Sequence, residues 1–142
     1  MTQFQAIEGR CQCGAVRYRV TGPAEHLFHC HCSMCRRVHG TVFATFATIP
    51  RGHLVVEAGA DMLATFESSP GVLRQHCRRC GCQLFVEDTA HPRIRGYAPG
   101  TADGHPGHPA DGALHIFVAS KVAWHEITDG LPQFDELPPE YG

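Results

Sequence analysis

Eight cysteines, gathered into three short groups, constrain this chain more than any other feature of its sequence. Convergent thiols present the soft donor set that zinc or iron takes from a protein loop. The three groups are Cys11 and Cys13; Cys30, Cys32 and Cys35; Cys77, Cys80 and Cys82. This grouping predicts metal sites rather than isolated core thiols.

A disulfide framework is the main alternative for so many cysteines. Such frameworks belong mostly to short secreted chains. Residues 1–5 do not form the basic and then apolar leader that directs export. We therefore expect reduced thiols and a cytoplasmic location.

The size and charge of the chain exclude several classes of protein. Its 142 residues can bury a single core, so we expect one domain over residues 1–142. With 43% hydrophobic residues and no apolar run near the ~18 residues needed to cross a bilayer, no membrane span is expected. The formal net charge of -2 offers no basic surface for a phosphate backbone, so nucleic acid is not an expected partner.

Short apolar runs separated by turn residues predict an all-β domain of roughly eight to ten strands. We also expect one helical turn over residues 33–38, directly after the central cysteines. The tail is expected to pack across the end of the sheet through Trp124, Leu131, Phe134 and Leu137. The clearest strands are expected at 16–20, 41–49, 53–57, 62–67, 83–87 and 114–118.

Residues 89–112 contain too many prolines and glycines for a strand or a helix, and they predict a long loop. The loop carries His91, His105 and His108. Because glycine and proline dominate their spacing, we interpret these histidines as solvated residues rather than metal ligands.

The cysteine spacing predicts two different metal sites. A closed structural zinc site takes four ligands, commonly two from each of two loops. Three protein ligands with an open fourth position are typical of a catalytic metal. The structural ligands would be Cys11, Cys13, Cys77 and Cys80, and the catalytic ligands would be Cys30, Cys32 and Cys35.

The alternative is that the triplet Cys30, Cys32 and Cys35 finds a fourth ligand. Cys82, His29, His31 and the histidines of the long loop are candidates, and cysteine counts alone do not fix the pairing. With both sites closed, the chain would be a zinc-stabilised binding or scaffold module. With the triplet site open, the chain would be an enzyme, and the cysteine pattern does not say on which thiol or electrophile it acts.

Four ordered motifs over residues 9 to 135 resemble the glutathione-dependent formaldehyde-activating enzyme family, which includes centromere protein V. The motifs are Gly-x-Cys-x-Cys-Gly-x-Val-x-Tyr from Gly9; Cys-His-Cys-Ser-x-Cys-Arg from Cys30; Cys-x-x-Cys-Gly from Cys77; and His-Ile-Phe-Val-x-Ser-Lys from His115, followed by Trp124. Cys82 is not part of the family pattern.

The resemblance implies an Mss4-like fold of short antiparallel strands with zinc-binding loops. It implies two zinc ions per chain, bound by the four and the three cysteines assigned above. It also implies carbon-sulfur lyase activity, in which a zinc-bound glutathione thiolate adds to formaldehyde or a related small aldehyde and gives S-(hydroxymethyl)glutathione.

This chemistry requires a proton donor and groups that bind carboxylates. A zinc ion with three thiolates has a net charge of roughly -1 and suits one more soft ligand, such as a substrate thiol. His39 and His115 are the candidate donors to the developing alkoxide. Arg36, Arg37 and Lys121 are the candidate ligands of the glutathione carboxylates. The sequence predicts no oligomeric state.

Overall fold

The computed structural model describes residues 3–107 and 112–139, and these residues are arranged mainly as β-strands. The prediction of an all-β fold is confirmed, and one α-helix occurs among these residues, α1 at Ser33–His39, besides four three-residue 3-10 helices. No helix in these ranges is both long and apolar enough to cross a bilayer. The strands are β1 Ile7–Arg10, β2 Arg17–Val20, β3 His26–Cys30, β4 Ala44–Pro50, β5 Leu54–Ala58, β6 Leu63–Ser69, β7 Val72–Cys77, β8 Gln83–Asp88, β9 Ile94–Tyr97 and β10 Leu114–Ile116.

The strands form two sheets. The larger sheet has the order β10-β3-β4-β9-β8-β7-β6, and the smaller has the order β1-β2-β5. Neighbouring strands are antiparallel, except that β10 runs parallel to β3 with Leu114 opposite Phe28. The expectation of antiparallel strands is therefore wrong for this pair, which brings the chain's late segment beside the central cysteines.

Tyr18 connects the small sheet to the large one. It is fully buried on β2, and its ring packs edge-on against Phe85 at 5.2 Å and Tyr97 at 5.9 Å. Its hydroxyl is 2.6 Å from Thr101 Oγ1. Aromatic contacts of this kind bury a large apolar area and fix orientation. They hold the β1–β2 turn, with its two cysteines, against the larger sheet.

The strand β9 contradicts the prediction of a structureless segment over residues 89–112. It lies between β4 and β8 in the larger sheet. Gly96 permits this position, because a Cβ there would be 2.6 Å from Val86 Cγ1 on the neighbouring strand. His91 and His105 lie outside the strand and are exposed, as expected, and His108 is outside the described residues.

The tail lies beside β10 through backbone hydrogen bonds more than through apolar packing. The Phe134 N–H donates to the His115 carbonyl at 2.9 Å, and the His115 N–H donates to the Pro132 carbonyl at 2.9 Å. Trp124 is 77% exposed and Leu137 is 38% exposed, so the expected packing of these two side chains is wrong. Leu131 and Phe134 are partly buried.

Candidate metal centres

The first cysteine cluster joins two distant turns. Cys11 and Cys13 lie between β1 and β2, Cys77 ends β7, and Cys80 lies in the turn before β8. Their four Sγ atoms lie within 4.8 Å of one another. The Sγ atoms of Cys11 and Cys13 are 3.7 Å apart, and those of Cys13 and Cys77 are 3.8 Å apart. Tetrahedral zinc with Zn–S bonds of about 2.3 Å has S–S edges of about 3.8 Å, so the cluster fits zinc.

Both turns end in a glycine with positive φ whose N–H bonds back to the carbonyl of the first cysteine, over three positions in one turn and four in the other. Gly14 and Gly81 both have a φ of 79°, the left-handed conformation that glycine adopts without strain. The Gly14 N–H donates to the Cys11 carbonyl at 3.1 Å, and the Gly81 N–H donates to the Cys77 carbonyl at 2.8 Å. Each turn thereby directs its thiols toward one point.

Backbone hydrogen bonds favour a thiolate at Cys11 and at Cys80, whereas burial and the neighbouring thiols raise the pKa of Cys13 to about 11. The Val16 N–H donates to Cys11 Sγ at 3.3 Å. Backbone hydrogen bonds from Cys13 and Cys82 lower the pKa of Cys80 to about 6. Because zinc binds thiolates, this arrangement prepares the cluster for a cation.

Cys82 belongs to neither cluster. Its Sγ donates to the carbonyl of the next residue, Gln83, at 3.7 Å. Burial raises the pKa of the Cys82 thiol, which opposes the thiolate form that a metal ligand needs.

The second cluster is the triplet predicted from the central motif. Cys30 ends β3, Cys32 precedes α1, and Cys35 lies in the first turn of α1. The Cys35 N–H donates to Cys32 Sγ at 3.3 Å, which couples the start of the helix to the thiol arrangement. The three Sγ atoms lie within 4.8 Å of one another.

Within residues 3–107 and 112–139, no other cysteine, histidine or carboxylate has a ligand atom within 4.8 Å of all three thiols. The described residues therefore provide four ligands at one cluster and three at the other. Hydrogen bonds from Cys30 and Cys35 lower the pKa of the Cys32 thiol, and the same contact with Cys32 raises the pKa of Cys30. One thiolate is thus already favoured in the triplet, which suits a soft cation.

The three predicted cationic residues have different surroundings. Arg36 Nε donates to the His31 carbonyl at 3.3 Å and so stabilises residues 30–35, which carry the triplet and are called the metal loop below. Arg37 is exposed on α1. Lys121 Nζ donates to the His125 carbonyl at 2.6 Å and to the Val122 carbonyl at 3.1 Å.

Lys121 also lines an open groove of about 510 Å³ together with Trp124 and His125. The ring of Phe43 lies 6.2 Å from His125 and 5.0 Å from His31, the residue between two triplet cysteines. A short row of rings therefore connects the groove with the metal loop.

His115 occupies a buried hydrogen-bonded chain. It is 1% exposed, its Nδ1 is 2.8 Å from His31 Nε2, and its Nε2 is 2.8 Å from Asp129 Oδ2. The hydrogen bond from His115 lowers the pKa of Asp129, so this carboxylate is ionised and accepts. His115 therefore donates from Nε2 to Asp129, and its Nδ1 shares a second hydrogen bond with His31 Nε2. No sequence pattern points to Asp129, because tertiary contacts of the tail bring it to His115.

His39 lies in the last turn of α1, four residues after Cys35. Its ring packs edge-on against Phe46 at a centroid distance of 5.3 Å. Burial, and then the charge of Arg74, lower the pKa of His39 and favour its neutral form. Neither ring nitrogen is hydrogen-bonded to another residue in the described part of the chain.

Arg74 is a residue of this region that the sequence interpretation missed. It lies on β7, is 6% exposed, and donates from Nη2 to Cys35 Sγ at 3.5 Å. The two residues are 39 positions apart, and no spacing rule links an arginine in a strand to a cysteine at a helix start.

Comparison with known proteins agrees with this arrangement. The family model described as glutathione-dependent formaldehyde-activating enzyme matches residues 6–120. A Halomonas elongata protein named "Putative glutathione-dependent formaldehyde-activating enzyme" is 30% identical over 128 residues, which cover 85% of this chain and 80% of that protein. A Podospora anserina protein of the same name is 32% identical over 86 residues, covering 58% of this chain and only 40% of that longer protein.

A solved structure shares the fold. The crystal structure of a Rhodobacter sphaeroides protein is similar with a TM-score of 0.61 and 26% sequence identity, and the match covers 77% of this chain and 99% of that chain. The family match over residues 6–120 includes every cysteine of both clusters together with His115. On the extent of that match and the similarity to the Halomonas protein, this chain belongs to the glutathione-dependent formaldehyde-activating enzyme family.

Proposed function

We propose that this chain is a zinc-dependent carbon-sulfur lyase that joins glutathione to formaldehyde or a related small aldehyde. The observation that carries the proposal is the difference between the two clusters, four thiols in one and three in the other among the described residues. A three-thiol site leaves one position for a substrate, whereas a four-thiol site is complete. We further propose two zinc ions per chain, in a single domain over residues 1–142.

The proposed reaction balances without an oxidant or a second cofactor. The S–H bond of glutathione breaks, a C–S bond forms at the aldehyde carbon, and the carbonyl π electrons move to oxygen. The alkoxide oxygen then takes the proton that the thiol released, which gives S-(hydroxymethyl)glutathione. Zinc at the triplet would supply a soft cationic position that favours the thiolate form of the substrate.

The groove beside the metal loop is the proposed site for the rest of glutathione. Its volume of about 510 Å³ is in the range of small-molecule sites. Lys121 lines the groove, and Arg36 and Arg37 follow the last triplet cysteine on α1. These cations would bind the two carboxylates of glutathione.

We propose that neutral His39 takes up the proton of the glutathione thiol and then donates it to the alkoxide oxygen, and that His115 positions the ring of His31. The two candidates differ in their hydrogen bonds, because both ring nitrogens of His115 are engaged by His31 and Asp129. Among the described residues no hydrogen bond engages either ring nitrogen of His39, which leaves this ring available to the substrate. It lies on the same short helix as Cys35, one helical turn further along.

Cobalt substitution tests the proposal. We expect glutathione to produce a new thiolate-to-cobalt charge-transfer band, and we expect the zinc form to accelerate hemithioacetal formation from glutathione and formaldehyde. The same buffer without protein is the essential control, because thiols add to formaldehyde unaided. No spectral change would favour a binding or scaffold module. Thiol binding without acceleration would indicate a different electrophile, and acceleration with other thiols only would indicate a different thiol.

A further inference from the structure

Arg74 is a buried cation without a carboxylate partner. It is 6% exposed, and within residues 3–107 and 112–139 no carboxylate oxygen lies within ion-pair distance of its guanidinium. An arginine side chain keeps its charge in proteins, and a buried charge without compensation strongly opposes folding. A compensating anion is therefore required beside Arg74.

The contacts of Arg74 identify that anion. Its Nε donates to Ser68 Oγ at 2.8 Å, and its Nη2 donates to Cys35 Sγ at 3.5 Å. Ser68 is neutral, which leaves the cysteine triplet as the anionic partner. Nη1 is also buried and has no hydrogen-bond partner. The Nη1 amino group of the guanidinium thus remains available to a further acceptor.

Arg95 shows what an ordinary buried arginine looks like in this protein. Its side chain is 12% exposed, its Nε lies 3.2 Å from Glu87 Oε1, and its guanidinium stacks over the Phe85 ring at 4.5 Å. Arg95 therefore has its own carboxylate, whereas Arg74 has a thiol. The four-cysteine cluster needs no such cation, because Cys13 and Cys80 are exposed and water screens its charge.

We propose that Arg74 is the counter-ion of the triplet centre and that it makes the fourth position select an anionic ligand over a neutral one. The inference rests on the proposed function for the presence of a metal with an open position. A divalent ion with three thiolates has a charge of roughly -1, which the guanidinium neutralises. A fourth, anionic ligand brings the centre to roughly -2, which Arg74 reduces to a net charge of roughly -1, whereas without Arg74 both negative charges would be buried uncompensated.

The test compares an anion with a neutral ligand at the cobalt-substituted triplet. Wild type, Arg74→Met, Arg74→Lys and the control Arg95→Met are titrated with 2-mercaptoethanol, azide and imidazole, and the visible spectrum reports binding. 2-Mercaptoethanol has no carboxylate, so it measures the effect of charge at the metal alone. For Arg74→Met we expect about a tenfold or greater loss of affinity for the thiolate and for azide, with imidazole binding changed by less than about threefold. Arg74→Lys and Arg95→Met should retain the wild-type preference.

The outcomes separate this inference from the proposed function. If wild type binds azide but no thiol, the proposed function fails. The inference about Arg74 is still tested in that case, by comparing the affinities of wild type and Arg74→Met for azide and for imidazole. Equal anion affinity in wild type and Arg74→Met would overturn the inference and leave the proposed function standing. If Arg74→Met does not fold, Arg74→Lys is the deciding variant. A folded lysine variant that has lost anion binding would show that the positive charge at position 74 does not cause the preference for anions. If wild type binds neither anion, the triplet is closed and both are overturned.

Discussion

Removing one ligand from each cysteine cluster is expected to destabilise the protein unequally. The four-cysteine cluster joins the β1–β2 turn to the end of β7, and Cys13 and Cys77 are 64 positions apart in the chain. The triplet lies within one local segment at the end of β3 and the start of α1. A metal bridge between distant segments removes more entropy from the unfolded chain than a local one does.

The structure gives the size of this difference. Treating each metal as a cross-link, closure of a loop of about 64 residues contributes about 4 kcal/mol to the free energy of unfolding, and closure of a loop of about six residues contributes about 2 kcal/mol. Cys80→Ser should therefore cost about 2 kcal/mol more than Cys32→Ser once each has lost its metal. A change of about 1 kcal/mol shifts the melting temperature of a domain of this size by about 3 °C, so Cys80→Ser should melt about 6 °C below Cys32→Ser.

Thermal unfolding followed by circular dichroism, with zinc per chain measured on the same samples, provides the assay. Cys80 is exposed, so serine there leaves no new buried polar group. Cys82→Ser is the matched control, since Cys82 lies outside both clusters, and it should retain both metals with a melting temperature within about 2 °C of wild type. Equal destabilisation by Cys32→Ser and Cys80→Ser would refute the reasoning and make the triplet a structural site.

Three further predictions concern the metals, the proton donor and the core. Two zinc ions per chain should leave in two phases under a chelator, the three-ligand site first, and a single phase of release would contradict the two-site assignment. His39→Gln should lower the catalysed rate about a hundredfold without changing the affinity of the cobalt form for glutathione. His115→Gln should mainly lower the melting temperature. The reverse pattern would exchange the roles of the two histidines. Tyr18→Phe removes the hydroxyl contact with Thr101, so chemical denaturation should show a loss of about 1 kcal/mol, and an unchanged midpoint would mean that this contact adds no stability.

Local patterns predicted the elements whose cause is local. The alternation of Val16, Tyr18 and Val20 identified the buried face of β2, and all three side chains are fully buried. Glycine after the second cysteine predicted the positive φ that Gly14 adopts. Such features depend on residues a few positions apart, so a sequence displays them directly.

The strand β9 shows where local patterns fail. Proline and glycine around residues 94–97 favoured a loop, yet the segment pairs with both β4 and β8. Gly96 interrupts the strand pattern in the sequence, but the structure requires it because of Val86 on the adjacent strand. The requirement comes from a residue that only the sheet brings near.

The sequence by itself determined the triplet and the two cysteine pairs, because cysteines a few residues apart in a tight turn converge wherever that turn lies. Only the tertiary structure brought the two pairs together, with Cys13 and Cys77 64 positions apart in the chain, and decided what surrounds the triplet. The register of β7 places Arg74 beside Cys35, 39 positions away, and the parallel pairing of β10 with β3 places His115 beside His31, 84 positions away. Charge and hydrogen bonding act through space over a few ångströms, so these partners leave no trace in spacing along the chain.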